Sequence, residues 1–227
     1  MPRLGLIAGL KTEIDAIEGA FSPRSQFFAA GGGAGRAADA ARRMARDGAE
    51  LLVSIGLAGG LDPALRTGDL VIASTLVTPG EIPYRAETAR DWREKLADAM
   101  RGEVRCVIAP IVGSDTAIVS AHAKAELFRA TQAVAVDMES HGVARAAAET
   151  GVPFIALRVV ADEAHRAVPW SAMAGMAPDG SVRPAAVIFR LLLRLWEVPA
   201  LIRLARDSRQ AHAALGRVAL RSAAVLR

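Results

Sequence analysis

Short apolar runs alternate with amphipathic stretches along most of this chain, and that alternation limits the folds open to it. Runs at residues 4–8, 26–30, 51–55, 69–74, 104–112, 134–136 and 154–160 have the length and composition of buried strands. Between them, residues 12–19 place Ile14 and Ile17 at helical spacing. Residues 37–47 are Ala-rich and end at Gly48, residues 124–130 form a short helical pattern, and residues 139–150 end at Gly151. Strand–helix alternation predicts a twisted, mixed but mostly parallel central sheet covered by helices on both faces. At 227 residues, one α/β domain spanning 1–227 is expected. The hydrophobic fraction of 52% is enough for a core without metal or disulfide support.

Charge sets the tail apart. Residues 181–227 hold nine Arg against Glu197 and Asp207, a net of +7, leaving −3 on the rest. Within 183–227, Val187, Ile188, Leu191, Leu192 and Leu195 recur at 3–4 spacing beside Arg190 and Arg194. Pro199 is expected to break or kink this helix. Leu201, Ile202, Leu204 and Ala205 continue the stripe, flanked by Arg203, Arg206 and Arg209. Two readings stay open: an interfacial helix touching a membrane surface, or the last helix of the domain packed on the sheet. Residues 169–183, with Trp170, Met173 and Met176, read as a loop or short irregular helix. Aromatics make up 4%, too few for a nucleic-acid stacking surface. Cys106 is the single cysteine, which excludes an intrachain disulfide and points to a reducing, cytoplasmic setting. No apolar run is long enough for a membrane span, and the first residues read as a strand rather than a signal peptide. His122, His141, His165 and His212 have no zinc-ligand spacing.

Ligands of such sheets sit beyond the carboxyl ends of strands. Glu13, the glycines of 56–60, Glu139 and Asp162 all fall at or just after such ends. Asp162 closes the apolar run Leu157-Arg158-Val159-Val160-Ala161, and Glu139 closes Val136-Asp137-Met138. Two carboxylates delivered by neighbouring strand ends can divide the work on one small molecule, one accepting from a sugar diol while the other protonates a leaving base. A turn Asp and a first-turn helix Glu would look the same in sequence.

Four blocks together resemble the nucleoside phosphorylase and nucleosidase superfamily, which includes purine nucleoside phosphorylases and methylthioadenosine/adenosylhomocysteine nucleosidases. They are Gly5-Leu6-Ile7-Ala8-Gly9-Leu10-Lys11-Thr12-Glu13, Gly33-Ala34-Gly35-Arg36, residues 54–61 with 67–71, and Val136-Asp137-Met138-Glu139 with 153–162. The resemblance implies cleavage of the N-glycosidic bond of an adenine nucleoside. It makes Asp162 the proton donor to purine N7, Glu139 the acceptor from the ribose hydroxyls and Glu13 the activator of an attacking water. Met138, Ile118 and Gly59 would contact substrate, with Asp115 and Ile118 on the base-contact loop. Gly9, Arg36 and Leu57 would meet water or phosphate, and Arg36 could equally cap a surface. The competing dinucleotide reading of 31–36 has Ala38 in place of the last glycine.

Length, a reduced middle loop and the Arg-rich tail resemble the hopanoid-associated branch, which implies adenosylhopane as substrate. Leu57, Ala117 and Ala161 stand where relatives often carry Ser, Phe and Ser, which makes the site less polar and more open. A methylthioadenosine/adenosylhomocysteine nucleosidase and a non-catalytic nucleoside-binding protein remain the alternatives. No metal or organic cofactor is implied, with inorganic phosphate a possible co-substrate. Assembly as a homo-oligomer, a dimer or hexamer, is expected, and so is peripheral contact with the inner membrane face.

Overall fold

A computed structural model describes residues 2–80, 83–169, 172, 181 and 195–226. Among these residues eight strands form one sheet: β1 (Leu4–Ala8), β2 (Gln26–Ala29), β3 (Leu51–Gly60), β4 (Leu70–Val77), β5 (Arg85–Glu87), β6 (Cys106–Gly113), β7 (Ala135–Asp137) and β8 (Phe154–Asp162). Among the described residues the α-helices are α1 (Lys11–Ile17), α2 (Ala34–Arg46), α3 (Arg90–Ala99), α4 (Ala121–Thr131), α5 (Ser140–Thr150) and α6 (Val198–Val225).

The sheet is mixed. β1 runs parallel to β2 and β3, β3 to β8, and β6 to β4 and β7. β3 with β7, β4 with β5 and β4 with β8 are antiparallel. The pairings β3–β8–β4–β6–β7 return to β3, so the centre of the sheet closes on itself. β3 is what makes this possible: its first part pairs with β8, and its last residues, Gly59 and Gly60, also pair with β7. Register between β3 and β8 runs from Leu52–Phe154 to Ala58–Val160, then slips so that Gly59 lies opposite Asp162. Such irregularities re-aim side chains beside sites, and this one falls at the candidate acid.

Helices cover both faces. On one, the small side chains of α2 (Ala37, Ala38, Ala41) meet Val143, Ala144 and Ala147 of α5. The approach is close enough that a Cβ on Gly142 would lie 2.0 Å from the carbonyl oxygen of Ala34. On the other, Ile17, Leu96, Leu215 and Val218 cover Leu6, Val53, Leu157 and Val159. Each fully buried Leu, Ile or Val contributes roughly 1.5–3 kcal/mol.

Several elements differ from the sequence expectation. β3 and β4 extend to Gly60 and Val77 because their pairing partners continue past the apolar runs. β5 and α3 had no clear apolar signal; α3 buries only Leu96 along its length. The stretch before Leu195 that Pro199 is expected to break or kink lies outside the described residues. Pro199 itself sits in the first turn of α6, where its missing N–H costs nothing, and the helix then continues through Val225. The far half of α6, from Ala211 on, is buried against the sheet, as the packed-helix reading expects. Trp196, just before the helix, and Ile202, in its first half, are exposed. Val187, Ile188, Arg190, Leu191, Leu192 and Arg194, like Trp170, Met173 and Met176, lie outside the described residues. Among those described, no helix is long and apolar enough to cross a membrane.

Candidate active site

β1 ends at Ala8, and the chain turns through Gly9 and Leu10 into α1, whose third residue is Glu13. Glu13 is 3% exposed, and its carboxylate folds back onto the turn. Oε2 accepts from the Gly9 and Leu10 amides at 2.8 and 2.9 Å. Oε1 accepts from the Leu57 amide at 2.8 Å. Three main-chain donors thus fix an acid that sequence alone could place on an exposed helix face.

Arg158 anchors the rest. It is fully buried in the middle of β8, and its Nη2 donates to Ser54 Oγ at 2.6 Å and Ser140 Oγ at 3.0 Å. It pairs with the Asp137 carboxylate and lies 3.6 Å from Glu139 Oε2. Asp137 also accepts from the Ser140 amide at 3.0 Å. Absence of a side chain on two glycines lets these groups meet. A Cβ on Gly9 would lie 2.9 Å from Glu139 Oε1, and one on Gly56 would lie 2.8 Å from Arg158 Nη1 and 2.9 Å from Glu13 Oε2. Three acids therefore crowd around one guanidinium. Glu139 precedes the first turn of α5 and does not belong to the helix itself. Burial pushes its carboxyl up to about 8, with Asp137 and Glu13 adding to the effect and Arg158 opposing it.

Asp162 ends β8 on the far side of the same cavity. A Cβ on Gly59 would lie 3.6 Å from its Oδ2. Burial raises its pKa, and pairing with the Lys124 ammonium on α4 pulls the other way without cancelling the rise. The cavity holds about 360 Å³ and takes in Gly9, Glu13, Leu57, Gly59, Met138, Glu139 and Asp162. The loop between β6 and α4 adds Ala117 and Ile118, and α6 adds Leu204 and Ser208. Apart from its acids this wall is mostly apolar.

Arg36 does not join the cavity. It lines a separate depression with Lys11, Asp15, Phe27 and Phe28. Gly9 and Leu57 line the cavity, but their amides are taken by Glu13. Among the described residues no group of three or more His, Cys, Asp or Glu side chains is arranged to hold a metal. His141 is buried and faces Asp115 at 3.0 Å, away from any ligand set. Arg158, Asp137 and Lys124 carry no role in the sequence reading. The signal for Arg158 was present, since a lone cation inside an all-apolar strand needs buried acids around it.

The model of the Phosphorylase superfamily matches residues 28–192. This chain belongs to that superfamily. A 5'-methylthioadenosine/S-adenosylhomocysteine nucleosidase from Marinomonas sp. (strain MWYL1) is 29% identical over 140 residues, covering 54% of this chain and 60% of that protein. The match thus spans less than two thirds of that relative. Among solved structures, the enzyme of the same name from Neisseria meningitidis, in complex with methylthio-immucillin-A, superposes with a TM-score of 0.74 at 18% identity, over 98% of both chains. Native futalosine hydrolase of Helicobacter pylori strain 26695 gives 0.62 at 19%, over 71% of this chain and 88% of that one. At these identities the structural matches establish the phosphorylase-superfamily fold.

Proposed function

We propose that this superfamily member is a nucleosidase, using water to cleave the N-glycosidic bond of a 5'-substituted adenine nucleoside. The observation that carries this reading is the Glu13 carboxylate, held by three main-chain N–H groups on the same cavity as Glu139 and Asp162. In this scheme Asp162 donates its proton to N7 as the C1′–N9 bonding pair withdraws into the purine. Glu139 holds the ribose hydroxyls, and in its ionised form its charge stabilises the cationic sugar as the bond opens. Glu13 takes a proton from the attacking water, whose oxygen bonds to C1′. Adenine leaves neutral and a free 5-substituted ribose remains, with the proton on Glu13 replacing the one lost from Asp162.

Phosphorolysis fits less well. The amides of Gly9 and Leu57, which could hold an anion, already serve a carboxylate, and Arg36 is elsewhere. A phosphate dianion would meet the Glu13 carboxylate in a buried setting, where like charges repel strongly. The names of the relatives support methylthioadenosine and adenosylhomocysteine as first substrates. A bulkier apolar 5' group, such as that of adenosylhopane, is the second reading. It rests on the apolar wall around Leu57, Ala117 and Ala161, and on α6, which brings Leu204 to the cavity and exposes Trp196 and Ile202. Membrane-surface contact belongs to that second reading and is tested by vesicle binding; homo-oligomerisation goes with either substrate class and is tested by sedimentation.

The test is adenine release from methylthioadenosine, adenosylhomocysteine and a lipid-substituted adenosine, with and without phosphate. Release without phosphate is expected. Strict phosphate dependence would overturn the hydrolytic reading, and activity only on the lipid-bearing substrate would replace the first substrate class with the second.

A further inference from the structure

Lys124 is the least expected side chain near the cavity. It lies in the first turn of α4, where the helix's positive end disfavours a cation, and it is fully buried. A buried ammonium persists when its three donors are all answered. Here they are: Nζ pairs with Asp162 Oδ2 and donates to the carbonyl oxygens of Glu163 at 3.1 Å and Arg166 at 3.0 Å. The two carbonyls belong to the segment that leaves β8 directly after Asp162. One ammonium therefore holds both an oxygen of the carboxyl group and the backbone that carries it.

Building on the proton-donor role proposed for Asp162, we infer that Lys124 is a positioning residue for that acid. It clamps Oδ2, leaves the other oxygen to face N7, and by its fixed charge sets the pH at which the acid gives up its proton. Other charged groups near Asp162 are less suited to this. Arg166 is paired with Asp207 of α6 and with Glu163, Glu163 also faces His165 and Arg66, and His165 and Arg203 sit on a second cavity beyond Asp162. Asp207 raises and Arg166 lowers the proton affinity of Asp162, each by less than Lys124 lowers it.

The experiment is a kcat–pH profile for adenine release by wild type, Lys124→Gln and Lys124→Met. Gln keeps a donor for the carbonyls without the charge, while Met keeps only the shape. With the cation gone, the proton stays on Asp162 to higher pH, so the alkaline limb should move up by about 1–3 pH units. At neutral pH kcat should fall more than KM changes. An unmoved limb in a folded variant would overturn the inference and leave Lys124 a purely structural residue. If neither variant folds, the Lys124 ammonium is observed directly by ¹⁵N-resolved NMR in wild type and Asp162→Asn. A shift on losing the carboxylate is expected, and an identical resonance in both would overturn the pairing. Asp162→Asn assayed alongside separates the two ideas: full activity there removes the proton-donor role itself, whereas an inactive Asp162→Asn with an unmoved limb in the Lys124 variants rejects only the part given to Lys124.

Discussion

At the residue scale, the site is a small set of acids whose environments differ. Asp162 faces the Lys124 ammonium, across the cavity from Asp137 and Glu139, which share Arg158, with Glu13 beside them. Replacing Asp162 by Asn keeps the shape and removes the acid, so adenine release should drop by about 10²–10⁴-fold with folding intact, read by initial rates and circular dichroism. Glu13→Gln should give a comparable loss in kcat, because an amide accepts the same N–H groups poorly and takes no proton from water. Glu139 makes a stability prediction. Its folded-state pKa of about 8 lies above the ordinary 4.5. Between those values the folded chain holds a proton that the unfolded chain releases, so stability declines as pH rises through the window. Glu139→Gln removes that dependence. Its stability relative to wild type should improve by on the order of 2–4 kcal/mol from pH 4.5 to pH 9, measured by urea unfolding at several pH values. A flat difference across that range would mean Glu139 stays ionised beside Arg158.

At the element scale, strand ends deliver the chemistry and close packing of small residues fixes where they point. The slip that sets Gly59 opposite Asp162 aims the acid into the cavity. The contact between α2 and α5 fixes the start of α5, and with it Glu139. Gly142→Ala would drive a methyl group into the Ala34 carbonyl at 2.0 Å. The helices must part, at a cost of about 1–3 kcal/mol, seen as a lower Tm with adenine-release activity reduced at temperatures where the chain is still folded. Strands 4–8, 51–55, 134–136 and 154–160 were legible because they are apolar runs bounded by glycine or an acid. β5 and α3 were not, because β5 pairs on one side with half-exposed residues and α3 buries almost nothing. Neither leaves a periodic apolar trace.

At the scale of the molecule, α6 has two characters. Its second half is part of the core, so Leu215→Ala should cost about 2–5 kcal/mol in urea unfolding. Its beginning is not: Ile202→Ser, at a 51% exposed position, should change stability by less than about 0.5 kcal/mol. A large loss there would mean that this stretch is covered by another part of the chain or by a second copy.

Strand order along the chain, its alternation with helices and the superfamily motifs are local properties, and the sequence carries them because burial of each strand demands apolar residues in a short window. Glu13, Glu139 and Asp162 could be singled out for the same reason, each standing where such a window ends. Their shared cavity, the amides that lock Glu13, the guanidinium of Arg158 among three acids and the ammonium of Lys124 behind Asp162 required the folded chain. Apart from the Gly9 and Leu10 amides, these contacts join residues far apart along the chain, and the energy of a buried charge is set by which partners the sheet brings within a few ångströms. For the same reason Arg36, adjacent to a glycine motif in sequence, lines another surface, beside residues of α1 and β2: which way a side chain faces is decided by the elements its helix packs against.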